Sequence, residues 1–170
     1  MLPPIWLVLF VIFCLIIAKN DFIVRRINNR LLLAALAVQL AWLLLSQFVP
    51  SAQVFAYMGW SQALAGFFIS LMVFVPLWKL RIVGAGDAKL IAILGLLLGF
   101  AGLWQVVLVA TVLTGLHAVA VVWLKGVKQA RAQWWQENPQ TRRGVPYGAY
   151  LALTALAWAL WYYWSGHGWF

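Results

Sequence analysis

Long apolar runs, each approaching the roughly 20 residues needed to cross a bilayer, occupy most of this chain. Of its 170 residues, 66% are hydrophobic and only 9% are charged, whereas a soluble domain of this length carries far more charge. Six spans of about 20 residues each leave room only for short loops. The sequence therefore predicts an all-α, polytopic membrane protein with six transmembrane helices, in a single domain that covers residues 1–170.

Prolines, glycines and charged residues divide the apolar sequence into six predicted helices. Their expected bounds are residues 4–18, 31–49, 60–78, 87–99, 103–124 and 146–164. The fourth is short, so we expect its start to lie within the protein rather than against lipid. The fifth is expected to continue as an interfacial helix to Gln136, because Trp134 and Trp135 suit the level of the lipid headgroups.

The basic residues predict the orientation of the chain in the membrane. All twelve lysines and arginines fall in alternate loops, as three groups: Lys19, Arg25, Arg26 and Arg30; Lys79, Arg81 and Lys89; and Lys125, Lys128, Arg131, Arg142 and Arg143. Positively charged loops remain in the cytoplasm, so both termini are expected outside and loops 1, 3 and 5 inside. This topology accounts for the net charge of +9, so we expect the lipid bilayer, and not nucleic acid, as a partner.

Asp21 and Asp87 are the only aspartates, and Glu137 is the only other acidic residue. Both aspartates lie near the ends of apolar runs, where charged groups are costly and therefore rare unless they are used. The predicted topology places both at the cytoplasmic face. Two carboxylates that share one proton can activate water against a peptide bond. Each also has a structural interpretation, since Asp21 could pair with Arg25 four residues later and Asp87 could cap the next helix.

The remaining reactive side chains are isolated in the sequence. Cys14 is the only cysteine, so one chain can form neither a disulfide nor a cysteine-based metal site. His117 and His167 have no clustered ligands beside them, so we expect no metal and no cofactor, and we expect His117 to be hydrogen-bonded within the bundle. Gly95 and Gly99 form a small-xxx-small motif that predicts close helix packing.

Three short segments carry a family resemblance. The segment around the second aspartate fits the pattern G-x-G-D-x-K-[LM] through Gly84, Gly86, Asp87, Lys89 and Leu90. The segment around the first contains Asp21, Arg25, Ile27 and Asn29, with Asn28 where proline is usual, and a third segment contains Pro146, Tyr147 and Gly148. With the topology, these segments resemble those of the type IV prepilin peptidase family, whose members are intramembrane aspartyl proteases.

The resemblance implies that Asp21 and Asp87 are the catalytic pair, with one ionised as general base on water and the other protonated to polarise the scissile carbonyl. Gly84 and Gly86 would let an extended substrate approach Asp87. The remaining matched residues would bind substrate or support the site: Lys89, Arg25, Asn29, Pro146, Tyr147 and Gly148.

The resemblance also implies a substrate and a location. The substrate would be a prepilin or pseudopilin whose short basic leader is cut at the cytoplasmic face of a bacterial inner membrane. The chain looks like the short, peptidase-only branch associated with tight-adherence (Flp-type) pili, so methylation by an N-methyltransferase domain is not implied. Two other classes stay open from the residues: a small proton-coupled transporter that uses the two aspartates, and a noncatalytic assembly scaffold.

Overall fold

A computed structural model describes residues 3–48, 60–125 and 145–165. Within these ranges the chain is helical apart from short connections, which confirms the all-α class. The helices are α1 (Pro3–Ile23), α2 (Asn29–Phe48), α3 (Trp60–Lys79), α4 (Ala85–Lys125) and α5 (Tyr147–Trp164). The interfacial helix predicted as far as Gln136 lies outside the described residues.

Four of the described helices, α1 to α4, are long and apolar enough to cross a membrane by length and composition. The 41 residues of α4 would span about 60 Å at 1.5 Å per residue if they formed one straight helix, which is about twice the thickness of a hydrocarbon core. The protein is therefore a multi-pass membrane protein. Six spans and an outer location of both termini stay predictions.

A break at Gly99 divides α4 into two arms, residues 85–98 and residues 100–125. Gly99 has φ 68° and ψ 176°, a conformation that only glycine adopts readily because a side chain would clash with the backbone. The fourth predicted helix also ends at this glycine. The break therefore corresponds to the predicted boundary between the fourth and fifth helices.

The two arms of α4 run in opposite directions along α5. The start of α5 lies beside Asp87 in the first arm. Further along α5, Trp158 donates a hydrogen bond to Gln105, just after the break. Tyr150, near the start of α5, contacts His117, which lies further along the second arm. The second arm thus returns toward the end of the bundle at which the first arm begins.

Glycines allow α3 and the first arm of α4 to pack with their backbones in contact. A Cβ atom built on Gly95 would lie 2.6 Å from Ser70 Oγ and 2.7 Å from the carbonyl carbon of Gly66. A Cβ atom built on Gly66 would lie 2.9 Å from the carbonyl carbon of Gly99. No side chain fits at these positions, so the predicted packing role of the Gly95–Gly99 motif is confirmed.

The first arm of α4 forms the centre of the core. Leu90, Ile91 and Leu94 are fully buried there, at 0% exposure. By contrast, large apolar side chains such as Ile12 and Met72 are exposed on the outer surface of the bundle. A soluble monomer rarely exposes so much apolar surface, whereas a lipid environment accommodates it.

The helix ends that carry basic residues lie together at one end of the bundle, termed here the basic end. The last turn of α1 is joined to the first turn of α5 by a hydrogen bond between Asp21 and Ala149. The start of α4 is joined to the start of α2 by a hydrogen bond between Lys89 and Asn29. The basic end is the end that the charge pattern predicts to face the cytoplasm.

Candidate active site

Asp21 lies in the last turn of α1, because this helix continues to Ile23 instead of ending at residue 18 as predicted. The placement of Asp21 in a loop is therefore wrong. Its side chain is buried, at 7% exposure, and its Oδ2 accepts a hydrogen bond of 2.8 Å from the backbone N–H of Ala149. The first N–H groups of a helix have no partner within that helix, so α5 supplies a donor and a favourable dipole to the Asp21 carboxylate.

Asp87 lies in the first turn of α4, which begins at Ala85. The predicted helix starts two residues later, so the interpretation of Asp87 as its N-cap is wrong. The carboxylate still lies near the positive end of the helix dipole. A Cβ atom built on Gly84 would lie 2.9 Å from Asp87 Oδ2. The absence of a side chain at position 84 therefore leaves room for this carboxylate.

Gly148 lies beside both carboxylates. A Cβ atom built on this buried glycine would lie 3.1 Å from Asp87 Oδ1 and 3.2 Å from Asp21 Oδ2. Since each oxygen is about 3 Å from the same point, the two oxygens are no more than about 6 Å apart. A side chain at position 148 would therefore contact both carboxylates.

Ile27 forms an apolar wall beside this space. A Cβ atom built on Gly148 would lie 2.9 Å from Ile27 Cδ1, and one built on Gly86 would lie 3.5 Å from the same atom. The three sequence segments that carry the family resemblance thus converge on one site. Apolar surroundings lower the local dielectric and strengthen the electrostatic interactions of the carboxylates.

Lys89 and Arg25 are not brought between the carboxylates. Lys89 Nζ donates a hydrogen bond to Asn29 Oδ1 at 3.2 Å. It follows Asp87 by two positions, about 200° around the helix, so it faces away from Asp21. Arg25 is exposed, follows the end of α1 and has a left-handed φ of 55°. The predicted ion pair between Asp21 and Arg25 assumed that both residues lie on one helix, four positions apart. Arg25 lies after the end of α1, so this helical geometry does not apply to it.

Tyr147 is attached to the second arm of α4. Its hydroxyl lies 3.1 Å from Thr111 Oγ1, and Thr111 donates its own proton to the carbonyl of Val107 at 2.7 Å. A threonine hydroxyl has a single proton, so the Tyr147 hydroxyl donates to Thr111. Pro146 precedes α5 as its N-cap residue, with φ −74°. These contacts position the start of α5, where Gly148 and Ala149 meet the carboxylates.

The prediction that His117 is hydrogen-bonded within the bundle is confirmed, since its Nδ1 pairs with the hydroxyl of Tyr150. Cys14 is fully buried in the core. Among the described residues, no three His, Cys, Asp or Glu side chains group closely enough to hold a metal ion.

Sequence reasoning missed two contributors to the site, Ala149 and Ile27. Ala149 contributes only its backbone N–H, which no side-chain pattern reveals, although it directly follows the matched Gly148. Ile27 belongs to a matched segment, but its apolar side chain gives no signal of chemistry. Ala149 was detectable only as the neighbour of a motif residue, whereas Ile27 was a motif residue without an assigned role.

The two carboxylates are suited to acid–base chemistry on a small molecule held between them. Two carboxylates this close cannot both ionise cheaply, so one proton is readily shared by the pair. An ionised carboxylate and a protonated one can together remove a proton from water and donate one to a carbonyl oxygen. The absence of a side chain at position 148 allows both carboxylates to lie against the start of α5.

Comparison with known protein families finds a match. The sequence model of the type IV leader peptidase family matches residues 8–119, which is more than half of the chain and includes both aspartates. No curated protein and no solved structure matches the chain significantly. The family match supports aspartic-type peptidase activity and, in general terms, a prepilin leader peptidase role. The chain belongs to the type IV leader peptidase family.

Proposed function

We propose that this protein is an intramembrane aspartyl endopeptidase that removes the short leader of Flp-type prepilins or pseudopilins. Cleavage takes place at the cytoplasmic face of the bacterial inner membrane, and Asp21 and Asp87 are the catalytic pair. The observation that carries the proposal is the approach of both carboxylates to Gly148, in a chain that matches the leader peptidase family. The activity is peptide cleavage alone, without N-methyl transfer.

In the proposed mechanism, Asp21 acts as the base and Asp87 as the acid. Asp21 accepts the N–H of Ala149, and an ionised carboxylate is the better acceptor for such a donor. Asp21 therefore takes a proton from a water molecule as the water oxygen attacks the scissile carbonyl. Protonated Asp87 donates a hydrogen bond to the carbonyl oxygen, where negative charge develops. The proton that Asp21 took from water then passes to the leaving amine as the peptide bond breaks.

The surroundings of the pair suit an extended peptide. Gly84 and Gly86 precede Asp87 without side chains, and Gly84 is exposed, so a peptide backbone can approach the Asp87 carboxylate from this side. Ile27 lies beside Gly86 and limits the volume there. The apolar helix of the substrate remains in the bilayer, while the segment before it enters the site at the basic end.

The position of Lys89 supports one shared proton in the pair. A cation close to both carboxylates would favour two ionised groups, which would leave no acid for the mechanism. Lys89 instead bonds to Asn29 on the other side of α4. The basic residues at this end of the bundle then act in membrane topology and lipid contact.

The decisive experiment incubates the purified full-length protein with a Flp-type prepilin in detergent and follows the size of the substrate. Asp21→Asn and Asp87→Asn each remove one acid–base group with little change in shape, and each should reduce cleavage by about 10²–10⁴-fold. Arg26→Gln is the matched control, because Arg26 is an exposed residue of the connection that follows α1 and has no role in the mechanism. Full processing by either asparagine variant would refute the proposal.

Mass spectrometry of the products tests the finer claims. The mature product should begin directly after a glycine and should carry no added methyl group when a methyl donor is present. The alternative of a proton-coupled transporter receives no support from the family match. Substrate flux in proteoliposomes, in the absence of cleavage, would favour that alternative.

A further inference from the structure

A groove between α2, α3 and the first arm of α4 contains polar groups that the proposed chemistry does not use. Its volume is about 350 Å³. Apolar side chains, including those of Leu33, Phe67 and Ile93, form its walls. Of the described residues that line it, only Asn29 and Lys89 are polar. The groove therefore combines an apolar interior with one positively charged position.

The charged position lies at the basic end of the groove. Asn29 is the first residue of α2, and Lys89 lies near the start of α4. The lining residues on α2 extend from Asn29 to Leu36, which is about 10 Å at 1.5 Å per residue. A hydrocarbon core is about 30 Å thick, so the groove lies within one leaflet, with its polar end at the level of the headgroups.

Lys89 and Asn29 together present hydrogen-bond donors at this polar end. An ammonium group has three N–H donors, and the bond to Asn29 Oδ1 uses one of them. When the Asn29 oxygen accepts from Lys89, its amide NH₂ group is directed to the other side and can also donate. Both side chains are exposed. This arrangement suits an anion with several acceptor oxygens, such as a phosphodiester.

We propose that this groove binds an anionic phospholipid of the leaflet at the basic end. The phosphate accepts hydrogen bonds from Lys89 and Asn29, and an acyl chain lies along Leu33, Phe67 and Ile93. Charge complementarity selects this occupant, because the ammonium group attracts an anionic headgroup and repels the basic leader of a prepilin. The groove thus ties the starts of α2 and α4 to one lipid molecule.

This site is separate from the carboxylate pair. Lys89 and Asp87 lie on opposite sides of α4, since two positions correspond to about 200°. Asp87 lies beside α1 and α5, whereas the groove lies beside α2 and α3. The lipid therefore does not enter the space around Gly148, and the inference does not depend on the proposed peptidase activity.

The test measures lipid binding to the full-length protein in mild detergent by native mass spectrometry. Phosphatidylglycerol and phosphatidylcholine with identical acyl chains are titrated in parallel, and sn-glycerol 3-phosphate is added as a soluble competitor. Lys89→Gln removes the charge in the groove. Lys79→Gln is the matched control, because Lys79 is exposed at the end of α3 but does not line the groove.

Phosphatidylglycerol should bind more tightly than phosphatidylcholine, and Lys89→Gln should weaken phosphatidylglycerol binding about fivefold, the effect of one lysine near a lipid headgroup. Lys79→Gln should leave the affinity within about twofold. Equal losses in the two glutamine variants would instead indicate general surface charge. If sn-glycerol 3-phosphate competes with an affinity equal to that of the lipid, the groove is a site for soluble phosphates. Either result would overturn the proposal.

A second pair of variants tests the apolar part of the site. Leu33 is 63% exposed, so Leu33→Trp is expected to fold and to fill part of the groove, and it should weaken the binding of both lipids. Leu45→Trp is its control, because Leu45 is also exposed, at 53%, and lies on α2 outside the groove. Unchanged lipid binding by Leu33→Trp would show that the chain does not occupy this groove, and the inference would be wrong.

Discussion

The buried carboxylate of Asp21 accepts a hydrogen bond from the backbone N–H of Ala149, at 2.8 Å and across 128 residues of sequence. This bond joins the last turn of α1 to the first turn of α5. It also places Gly148, the residue before the donor, against both aspartates. Asp21 therefore has a structural role as well as its proposed catalytic one, and the two roles can be separated by substitution.

The structural role predicts different stabilities for two variants of Asp21. Asp21→Ala leaves the Ala149 N–H buried without an acceptor, because Ala149 is 0% exposed, and should lower the free energy of unfolding by about 1–3 kcal/mol. Asp21→Asn keeps an acceptor oxygen and should lose less than about 1 kcal/mol. Both variants should lack peptidase activity. Thermal unfolding in detergent measures the difference.

The corresponding variants of Asp87 serve as the control for that comparison. Within the described residues the Asp87 side chain makes no hydrogen bond to a backbone N–H, so Asp87→Ala and Asp87→Asn should have similar stabilities. If Asp21→Ala unfolds at the same temperature as Asp21→Asn, the bond to Ala149 does not contribute to stability as proposed.

Gly148→Ala should inactivate the enzyme without unfolding it. The new methyl group would lie against both carboxylates, 3.1 Å and 3.2 Å from their oxygens, and should exclude water from the reaction site. Ile27 Cδ1, at 2.9 Å, is the end of a flexible side chain and can move aside. We expect cleavage to fall by about 10²–10⁴-fold, the range that loss of acid–base catalysis produces.

Gly115→Ala is the matched control for this substitution. A Cβ atom built on Gly115 has no neighbour within 4 Å, and alanine favours a helix over glycine by about 1 kcal/mol. This variant should therefore cleave prepilin at the normal rate. Normal cleavage by Gly148→Ala itself would show that catalysis does not use the space between Asp21 and Asp87.

Gly95→Ala should lower the stability of the fold and not only the rate of cleavage. Its Cβ atom would overlap the backbone of Gly66 and lie 2.6 Å from Ser70 Oγ, and backbone atoms cannot move aside unless α3 and α4 separate. Overpacking of this kind costs about 1–3 kcal/mol. The free energies of unfolding of Gly95→Ala and Gly115→Ala should therefore differ by at least about 1 kcal/mol, which thermal unfolding measures. Equal unfolding midpoints would contradict the observed helix contact.

The shared proton predicts a bell-shaped dependence of kcat/KM on pH. At low pH both carboxylates are protonated and no base is present, whereas at high pH both are ionised and no acid is present. Cleavage should therefore be fastest at intermediate pH and fall on both sides. Thermal unfolding across the same pH range separates this effect from loss of structure. A rate that keeps rising to the highest pH would exclude Asp87 as the acid.

The sequence predicted the helical class and the grouping of the basic residues, because these follow from the composition of short segments, and the family was predicted from the resemblance of three motif segments. It also predicted that Asp21 and Asp87 lie on one side of the membrane, and the structure places their oxygens no more than about 6 Å apart. The break at Gly99 was likewise detectable, since a glycine ends the fourth predicted helix.

The local environment of each aspartate was predicted less well. Lys19, Asn20 and Asp21 suggest a loop, yet none of them breaks a helix, and packing against α5 extends α1 to Ile23. The start of α4 at Ala85 similarly places Asp87 inside the helix. Helix ends depend on the contacts that the terminal turns make, and these contacts are not visible in a local pattern.

By itself, the sequence determined which segments suit a bilayer and which connections carry positive charge, because the cost of placing each residue in lipid is a property of that residue. Only the tertiary structure decided that Gly148 lies against both carboxylates, that Ala149 donates to Asp21, and that Lys89 turns toward Asn29. These relationships join residues that are distant along the chain. They arise from the packing of whole helices, which no single segment encodes.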